Sequence, residues 1–225
     1  MDEFRRSLEA VLEDLLSQGR RVTDMALRAV ESYFAADVAI AEEVIRGDAT
    51  VDHIDVQIER GCVGLMRLRP DSEHDLRWIL TIVKVNNELE RIADCAVNIA
   101  ETVGRIDDPE RPDTFQVMAN SVVGMLRDTV DALSRRDIEL AQRVLGFDDT
   151  VDCFKKELVE RTHSALAQGR VSVASALHLL RVVKATERMA DHCTNICEQA
   201  IYLESGKIVR HLPSGWTTPE LPEDD

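Results

Sequence analysis

Apolar side chains along this chain recur every three or four residues, a spacing that marks one face of an α-helix. Between Phe4 and Ala29 this stripe is interrupted only at Gln18, and it consists of Phe4, Leu8, Val11, Leu15, Val22, Met25 and Ala29. The pattern predicts a first helix that runs to Gly47 with a bend near Asp37. A second helix is predicted from about Asp48 to Leu68, where Pro70 ends it, and a third continues to about Arg105.

The second half of the chain repeats this order of elements. A fourth helix is predicted from Pro112 through a bend near Asp137 to Gly146, followed by a fifth over 148–168 and a sixth over 171–203. Aromatic residues make up only 4% of the sequence, and alanine, leucine and charged residues dominate it, which favours helix throughout. The sequence therefore predicts an all-α protein.

Two stretches of the sequence occur twice. The twelve residues 90–101 return at 187–198 with seven identities, and residues 37–52 return at 137–152, also with seven identities. This period is far longer than the unit of a helical solenoid, so the pattern favours two similar halves over an array. We expect one repeat over 1–108, a second over 109–211, and a disordered acidic, proline-containing tail over 212–225.

The repeated stretches carry acidic residues at helical spacing. At about 100° per residue, Glu90, Asp94 and Glu101 fall on one face of the predicted third helix, and Asp48, Asp52 and Asp55 on one face of the second. The second copy places acids at equivalent positions. The candidate metal ligands are thus Asp48, Asp52, Asp55, Glu90, Asp94, Glu101, Asp148, Asp152, Glu187, Asp191 and Glu198.

Hairpin geometry links the acids of neighbouring helices. If the second and third helices turn back on each other near Pro70, the Asp48/Asp52 pair and the Glu90/Asp94 pair lie at similar distances from the turn. A turn near Gly169 has the same effect in the second half. We therefore expect the acids of each hairpin to lie at the same level.

Carboxylates that converge in this way repel one another unless they share a cation or take up protons. An all-oxygen set of ligands suits hard cations, iron or manganese better than a structural zinc site, which would use cysteine or histidine. We expect iron, zinc or manganese before magnesium or calcium. The alternative is that the acids are solvated residues of an outer face. Lys155 stands where the first half has Asp55, so we expect the second site to bind metal more weakly.

Two further groups have competing interpretations. Cys193 and Cys197, beside His192, could hold a softer metal, but small side chains packed between helices are the favoured explanation. Arg91 and Arg188 could bridge carboxylates on a neighbouring helix, which is favoured, or remain free to meet an anion.

Composition excludes several classes of function. The formal net charge of −15 argues against nucleic-acid binding and favours cations or basic protein surfaces as partners. The five cysteines are odd in number and lie in helical patterns, which argues against a disulfide framework. Neither a membrane span nor a leader peptide is predicted, so we expect a cytoplasmic protein. The chain has no catalytic motif that indicates an enzyme, and we assign no catalytic residues.

Four features of the sequence together resemble the PhoU family of phosphate-transport accessory proteins. They are the duplicated motif E-R-[IM]-A-D-x-x-x-N-I-x-E, the D-x-x-V-D upstream of each copy, Asp75-Leu76-Arg77 and the ending 202–207. The resemblance covers about residues 1–211. It implies two pseudo-symmetric antiparallel three-helix bundles, six helices in all. Two departures concern the site: Cys95 replaces a histidine that His192 keeps, and the turn 71–74 is longer and more acidic than is usual.

The resemblance also implies a function. PhoU-like proteins are cytoplasmic negative regulators of phosphate uptake and of the phosphate-starvation response. They act between the ATPase subunit of the phosphate ABC transporter and a sensor histidine kinase, reach the membrane only through these partners, and tend to form homodimers. Some carry iron or other metal clusters on E(D)-x-x-x-D motifs, which here correspond to Asp48 with Asp52, Glu90 with Asp94, Asp148 with Asp152 and Glu187 with Asp191.

Two alternatives remain open beside a regulator that joins the transporter to the kinase as a non-catalytic adaptor. A metal-dependent enzyme built on the acidic faces would need a proton-transfer group, for which His53 and His192 are the candidates. A metal-free helical scaffold would use the same faces to bind basic partner surfaces.

Overall fold

The computed structural model describes residues 3–70, 72–105 and 111–209. These residues form six α-helices, as the hydrophobic pattern predicts. The helices are α1 (Glu3–Ala35), α2 (Val38–Arg67), α3 (Glu73–Ala100), α4 (Asp113–Arg135), α5 (Ile138–Ala167) and α6 (Val173–Ser205). The predicted repeat boundary at 108/109 and the predicted disordered tail at 212–225 lie outside the described residues.

The first helix ends earlier than its apolar stripe predicts. Ala36 adopts a left-handed conformation with φ of 56°, and the Asp37 side chain accepts hydrogen bonds from the backbone N–H groups of Ala39 and Ile40. The predicted bend at Asp37 is therefore a break between two helices, and the prediction of a helix that continues to Gly47 was wrong. The apolar periodicity misled because it passes across a break that only backbone capping reveals.

The same correction applies in the second half. Arg136 has φ of 56°, and Asp137 caps α5 through the backbone N–H of Leu140, so the fourth helix does not continue to Gly146. The second and fifth helices consequently begin at Val38 and Ile138, ten residues before their predicted starts, and Gly47 and Gly146 lie inside them. The third helix ends at Ala100 rather than at Arg105. The other predicted boundaries differ little from the observed ones. Both repeats thus break at the position of their shared aspartate.

Each half forms an antiparallel three-helix bundle. Helices α1, α2 and α3 pack against one another, and α4, α5 and α6 do the same. The two bundles meet through α1 against α4 and α3 against α6, while α2 and α5 lie on opposite flanks. Apolar side chains from all six helices join in one core, so burial of apolar surface couples the halves.

Residues of the α1–α4 contact show how closely the bundles approach. A Cβ at Gly19 would lie 3.1 Å from a methyl group of Val130, so the glycine lets the two helices come together. Tyr33 and Phe115 pack edge to face across the same contact, with ring centroids 5.5 Å apart. None of the helices in the described ranges has an apolar stretch long enough to cross a membrane.

Candidate functional site

The first acidic face consists of Asp48, Asp52 and Asp55 on α2 and Glu90 and Asp94 on α3. Burial raises the pKa of Asp48, and the charges of Asp52 and Asp94 raise it further. The pKa of Glu90 is raised by burial and by Asp94, with smaller contributions from Asp55 and Asp52. The hairpin therefore brings the acids of both helices to one level, as its geometry predicts.

Asp55 is held at the edge of this face by a residue of the neighbouring helix. The Asn86 side chain on α3 donates hydrogen bonds to Asp55 Oδ1 at 2.6 Å and to the Asp55 carbonyl oxygen at 3.1 Å. Burial nevertheless raises the pKa of Asp55, as do the charges of Glu59 and Asp52. Asn86 thus fixes the orientation of one carboxylate while the face as a whole remains short of positive charge.

Arg91 partly offsets the charge of the first acidic face. Its guanidinium lies 3.3 Å from Glu90 Oε2 and 3.3 Å from Asp94 Oδ2, both on its own helix. The interpretation of Arg91 as a bridge to a neighbouring helix was therefore wrong. The same interpretation fails for Arg188, which is exposed and forms no ion pair with a carboxylate in the described ranges. Helical spacing places Arg91 nearer to the acids of its own motif than to another helix.

The second acidic face consists of Asp148 and Asp152 on α5 and Glu187 and Asp191 on α6. Burial raises the pKa of Asp148 to about 6, with further contributions from Asp191, Asp152, Asp149 and Glu187. The pKa of Asp191 is raised by burial and by Glu187 and Asp152. The repeat has therefore preserved the crowding of carboxylates as well as their sequence.

Lys155 places a cation within the second acidic face. Its Nζ lies 2.5 Å from Glu187 Oε1 and 3.6 Å from Asp152 Oδ1. The hydrogen bond to Glu187 raises the lysine pKa, so the ammonium group stays charged. The first face has Asp55 at this position, and the two faces consequently differ in net charge by two units.

Two of the predicted ligands lie apart from these faces. Glu101 follows α3, and its Oε2 accepts a hydrogen bond from Arg181 of α6 at 3.0 Å and lies 3.7 Å from Arg105. Glu198 on α6 lines a small pocket with Lys84 and Tyr202. The structure does not bring either side chain into the clusters formed by the other nine predicted residues.

The contact between α3 and α6 contains polar residues that the sequence did not single out as a site. Glu88 Oε2 lies 2.7 Å from His192 Nδ1 and accepts a hydrogen bond from Asn195 at 3.0 Å. On α3, the Asn98 side chain accepts a hydrogen bond from Arg181 of α6 at 3.1 Å. Asn98 and Asn195 are the same residue of the duplicated motif, and this shared asparagine was the signal that could have revealed the contact. We call these residues the interbundle polar contact.

The two buried cysteines of α6 behave as core residues. Cys197 Sγ donates to Thr129 Oγ1 at 3.7 Å, and burial raises the pKa of Cys197 to about 12. Cys193 is completely buried, and its pKa is also raised by burial. Thiols that resist deprotonation are poor metal ligands, which favours packing over a soft-metal site.

The carboxylates of the two faces are suitable metal ligands by type, but their observed positions do not form a coordination site. Their oxygens are the donors that hard cations prefer. Burial, with added repulsion from neighbouring acids, raises the pKa values of Asp48 and Asp148, and a cation would counter both effects. Among the residues that the structure describes, however, no group of three histidine, cysteine, aspartate or glutamate side chains is arranged to hold one ion. Metal binding on either face would require these side chains to turn toward one another.

Comparisons with known proteins agree with the duplicated architecture. A family model described as "PhoU domain" matches residues 15–103 and again 115–200. The PhoU homolog of Aquifex aeolicus, a phosphate-specific transport system accessory protein, is 35% identical over 209 residues, which cover 92% of this chain and 95% of the relative. The Escherichia coli accessory protein PhoU is 29% identical over 213 residues, covering 93% of this chain and 88% of the relative.

Solved structures match the whole described fold. The crystal structure of PhoU from Pseudomonas aeruginosa has a TM-score of 0.88 at 28% identity and covers 91% of this chain and 100% of that one. The crystal structure of the phosphate transport system regulatory protein PhoU from Streptococcus pneumoniae has a TM-score of 0.86 at 25% identity, covering 92% and 99%. The similarity therefore extends over both bundles and the packing between them.

Proposed function

Because this chain belongs to the PhoU family, we propose that it is an accessory regulator of a phosphate-specific transport system. The observation that carries the proposal is the length of the match, since both repeats and nearly all of the relatives' chains are covered. In this role the protein lowers phosphate uptake and represses the response to phosphate starvation. It acts by binding and not by turnover.

The partners that we propose are the ATPase subunit of the phosphate ABC transporter and the phosphate sensor histidine kinase. The duplicated architecture supports an adaptor, because the acidic faces lie on separate hairpins, α2 with α3 and α5 with α6. The interbundle polar contact and the shared core hold these hairpins in a fixed relation. One molecule could therefore present an acidic face to each of two basic partner surfaces.

We further propose that the first acidic face binds a metal ion, with iron, manganese or zinc as the candidates. Asp48 and Asp52 would hold the ion together with Glu90 and Asp94. The cation would offset the burial and the repulsion that raise the pKa values of Asp48 and Glu90. Bound there, the ion would supply positive charge and fix the orientation of the carboxylates. The second face binds metal more weakly because Lys155 already occupies part of it.

A homodimer is the assembly that we propose. Apolar side chains are exposed at equivalent positions of the two repeats, Leu76 and Leu80 on α3 and Val173 and Leu177 on α6. Apolar surface repeated in this way can be buried when copies associate. The protein works in the cytoplasm, and its contact with the membrane is made through the transporter and the kinase.

Elemental analysis tests the metal proposal. Wild-type protein purified without a tag or chelator is compared with the first-face variant, which combines Asp48→Asn, Asp52→Asn, Glu90→Gln and Asp94→Asn. We expect iron, manganese or zinc in the wild-type protein and its loss from the variant. The matched control is Glu9→Gln, Asp14→Asn, Asp24→Asn and Glu31→Gln, which removes four charges from exposed positions of α1 and should retain the metal.

Affinity capture from phosphate-replete cells tests the adaptor proposal separately. The wild-type protein should recover the transporter ATPase or the sensor kinase, and the first-face variant should recover less of at least one. If the wild-type protein is purified without metal and still captures both partners, the metal proposal is contradicted and the adaptor proposal stands. Recovery of neither partner by the wild-type protein would contradict the adaptor itself.

A further inference from the structure

A cavity of about 590 Å³ opens between the start of α4 and the last turns of α5, at a distance along the helix from the second acidic face. We call it the arginine cavity. Its lining includes three arginines, Arg111, Arg161 and Arg170, together with Glu160, Thr162 and Ser164. Three guanidinium groups around one opening stand out in a chain whose formal net charge is −15.

The cavity lies at the place where the two repeats differ in the length of one helix. Both α1 and α4 end at equivalent positions, Ala35 and Arg135, but α1 has 33 residues and α4 has 23. In the first repeat the extra turns of α1 cover the end of α2, where a Cβ at Gly61 would lie 2.7 Å from a methyl group of Val11. In the second repeat the described part of this helix begins at Asp113, and the last turns of α5 border the cavity.

Residues near the end of α5 differ in character from their counterparts on α2. Arg161 takes the place of Gly61, Thr162 that of Cys62, and Ser164 that of Gly64, each 100 positions further along the chain. Position 162 is buried like position 62, whereas Arg161 and Ser164 add a cation and a hydroxyl group to the exposed surface of α5. An arginine at the Gly61 position would block a helix from packing as α1 does, so the cavity suits a smaller ligand.

The guanidinium groups have unequal partners. Arg161 donates to Glu157 Oε1 at 3.1 Å and to Thr114 Oγ1 at 3.0 Å. The Nε of Arg170 donates to the neutral amide of Gln168 at 2.9 Å. The Nε of Arg111 donates to the Tyr33 carbonyl oxygen at 2.8 Å, and its guanidinium lies over the Tyr33 ring. Within the described ranges, Arg170 and Arg111 form no ion pair with a carboxylate.

Three carboxylates and a helix end also contribute to the electrostatics of the cavity. Glu160 lines the cavity and Glu157 pairs with Arg161, so the opening is not uniformly positive. Pro112 precedes α4 and provides no side-chain cap, and the first turn of the helix carries a further carboxylate, Asp113. The free N–H groups at a helix start favour negative charge, which Asp113 already supplies in part, so the arginines are the main attraction for an anion here. Arginine side chains are moreover suited to bidentate contacts with phosphate and carboxylate oxygens.

We propose that the arginine cavity binds a small polyvalent anion, a molecule that carries two or more phosphate or carboxylate groups. Its volume lies in the range of small-molecule sites, roughly 300–1,000 Å³. A polyvalent ligand can engage Arg111 and Arg170 together, and it can draw Arg161 away from Glu157. The site is separate from both acidic faces and does not depend on the proposed role in phosphate transport.

Isothermal titration calorimetry with sodium tripolyphosphate and, in a second arm, sodium citrate tests this proposal on the full-length chain. The variant combines Arg161→Ala and Arg170→Ala, two exposed positions whose loss leaves the core intact. We expect saturable binding of at least one probe by the wild-type protein and a loss of about tenfold or more in affinity in the variant. Tripolyphosphate alone would identify a phosphate site, and citrate alone a carboxylate site.

The control combines Arg20→Ala and Arg135→Ala, which removes the same charge from exposed positions away from the cavity, and its affinity should stay within about twofold of the wild type. NMR of the arginine Nε–H groups supplies a second readout, in which the probe should shift the signals of Arg111, Arg161 and Arg170. No saturable binding of either probe to the wild-type protein would overturn the proposal. Equal loss of affinity in variant and control, or shifts confined to other arginines, would also overturn it.

Discussion

Asp148 shows how the pairing of two acidic helices changes the chemistry of a single side chain. It is only partly exposed, and the carboxylates of Asp152, Glu187 and Asp191 surround it. Its pKa of about 6 means that the folded protein binds a proton at this residue more tightly than the unfolded chain, whose reference pKa is 3.8. Asp148 therefore favours folding below about pH 4 and loses that contribution as the pH rises through 6.

Replacing Asp148 with asparagine removes the charge and keeps the shape. At pH 7, with a chelator present, we expect Asp148→Asn to raise the free energy of unfolding by about 1–2 kcal/mol, after allowance for solvent screening. The difference from the wild type should close as the pH falls toward 4. Urea unfolding at a series of pH values measures it, and Asp14→Asn at an exposed position is the control. A destabilised Asp148→Asn protein at pH 7 would contradict the electrostatic account.

At the scale of the element, the break between paired helices is set by two adjacent residues. Ala36 adopts φ of 56°, which costs a residue with a Cβ about 1 kcal/mol, and Asp37 then caps α2. Arg136 and Asp137 repeat this arrangement in the second half. The cap offsets the strain of the left-handed residue and fixes the register in which α2 presents its acids.

Removal of the cap should weaken the fold at this break. We expect Asp37→Ala to lower the free energy of unfolding by about 1 kcal/mol, because the N–H groups of Ala39 and Ile40 lose their acceptor. Asp37→Asn, which keeps an acceptor oxygen, should stay close to the wild type. Chemical unfolding of the three proteins measures both effects, and equal destabilisation by the two substitutions would show that the charge and not the cap matters.

The sequence predicted the helices better than the contacts between them. The apolar stripes and the duplicated motif were enough to predict six helices and the acids that face each other within a hairpin, because both follow from helical periodicity and chain order. The break at Ala36 escaped because no glycine or proline marks it. The pairing of Glu101 with Arg181 escaped because it depends on how α3 packs against α6, which local sequence does not encode. The arginine cavity likewise depends on a difference in helix length between distant parts of the chain.

At the scale of the whole molecule, the contact between α3 and α6 joins the bundles through polar groups as well as apolar ones. Burial alone would raise the pKa of Glu88, but the hydrogen bonds from His192 and Asn195 outweigh it and lower the pKa below the reference value of 4.5. A lowered pKa contributes stability above the unfolded-state value, and this contribution is lost as the pH falls through the folded-state value. The interbundle polar contact should therefore be strongest near neutral pH.

Glu88→Gln tests this contact without changing the size of the side chain. At pH 7 we expect it to lower the free energy of unfolding by about 1–3 kcal/mol, because His192 and Asn195 lose a charged acceptor. Below about pH 4 the difference from the wild type should shrink, since the wild-type carboxyl is then protonated as well. Thermal unfolding across this pH range measures the effect, with Glu9→Gln as an exposed control. A pH-independent loss of stability would point to packing and not to charge.

The central claim is that the molecule as a whole restrains the response to phosphate starvation. Its most direct test is the activity of a phosphate-starvation reporter in cells of the source organism from which the gene has been deleted, grown with ample phosphate. The account predicts high reporter activity in the deletion strain, restored repression by the wild-type gene, and incomplete repression by the first-face variant. Reporter activity that stays low after deletion would contradict it.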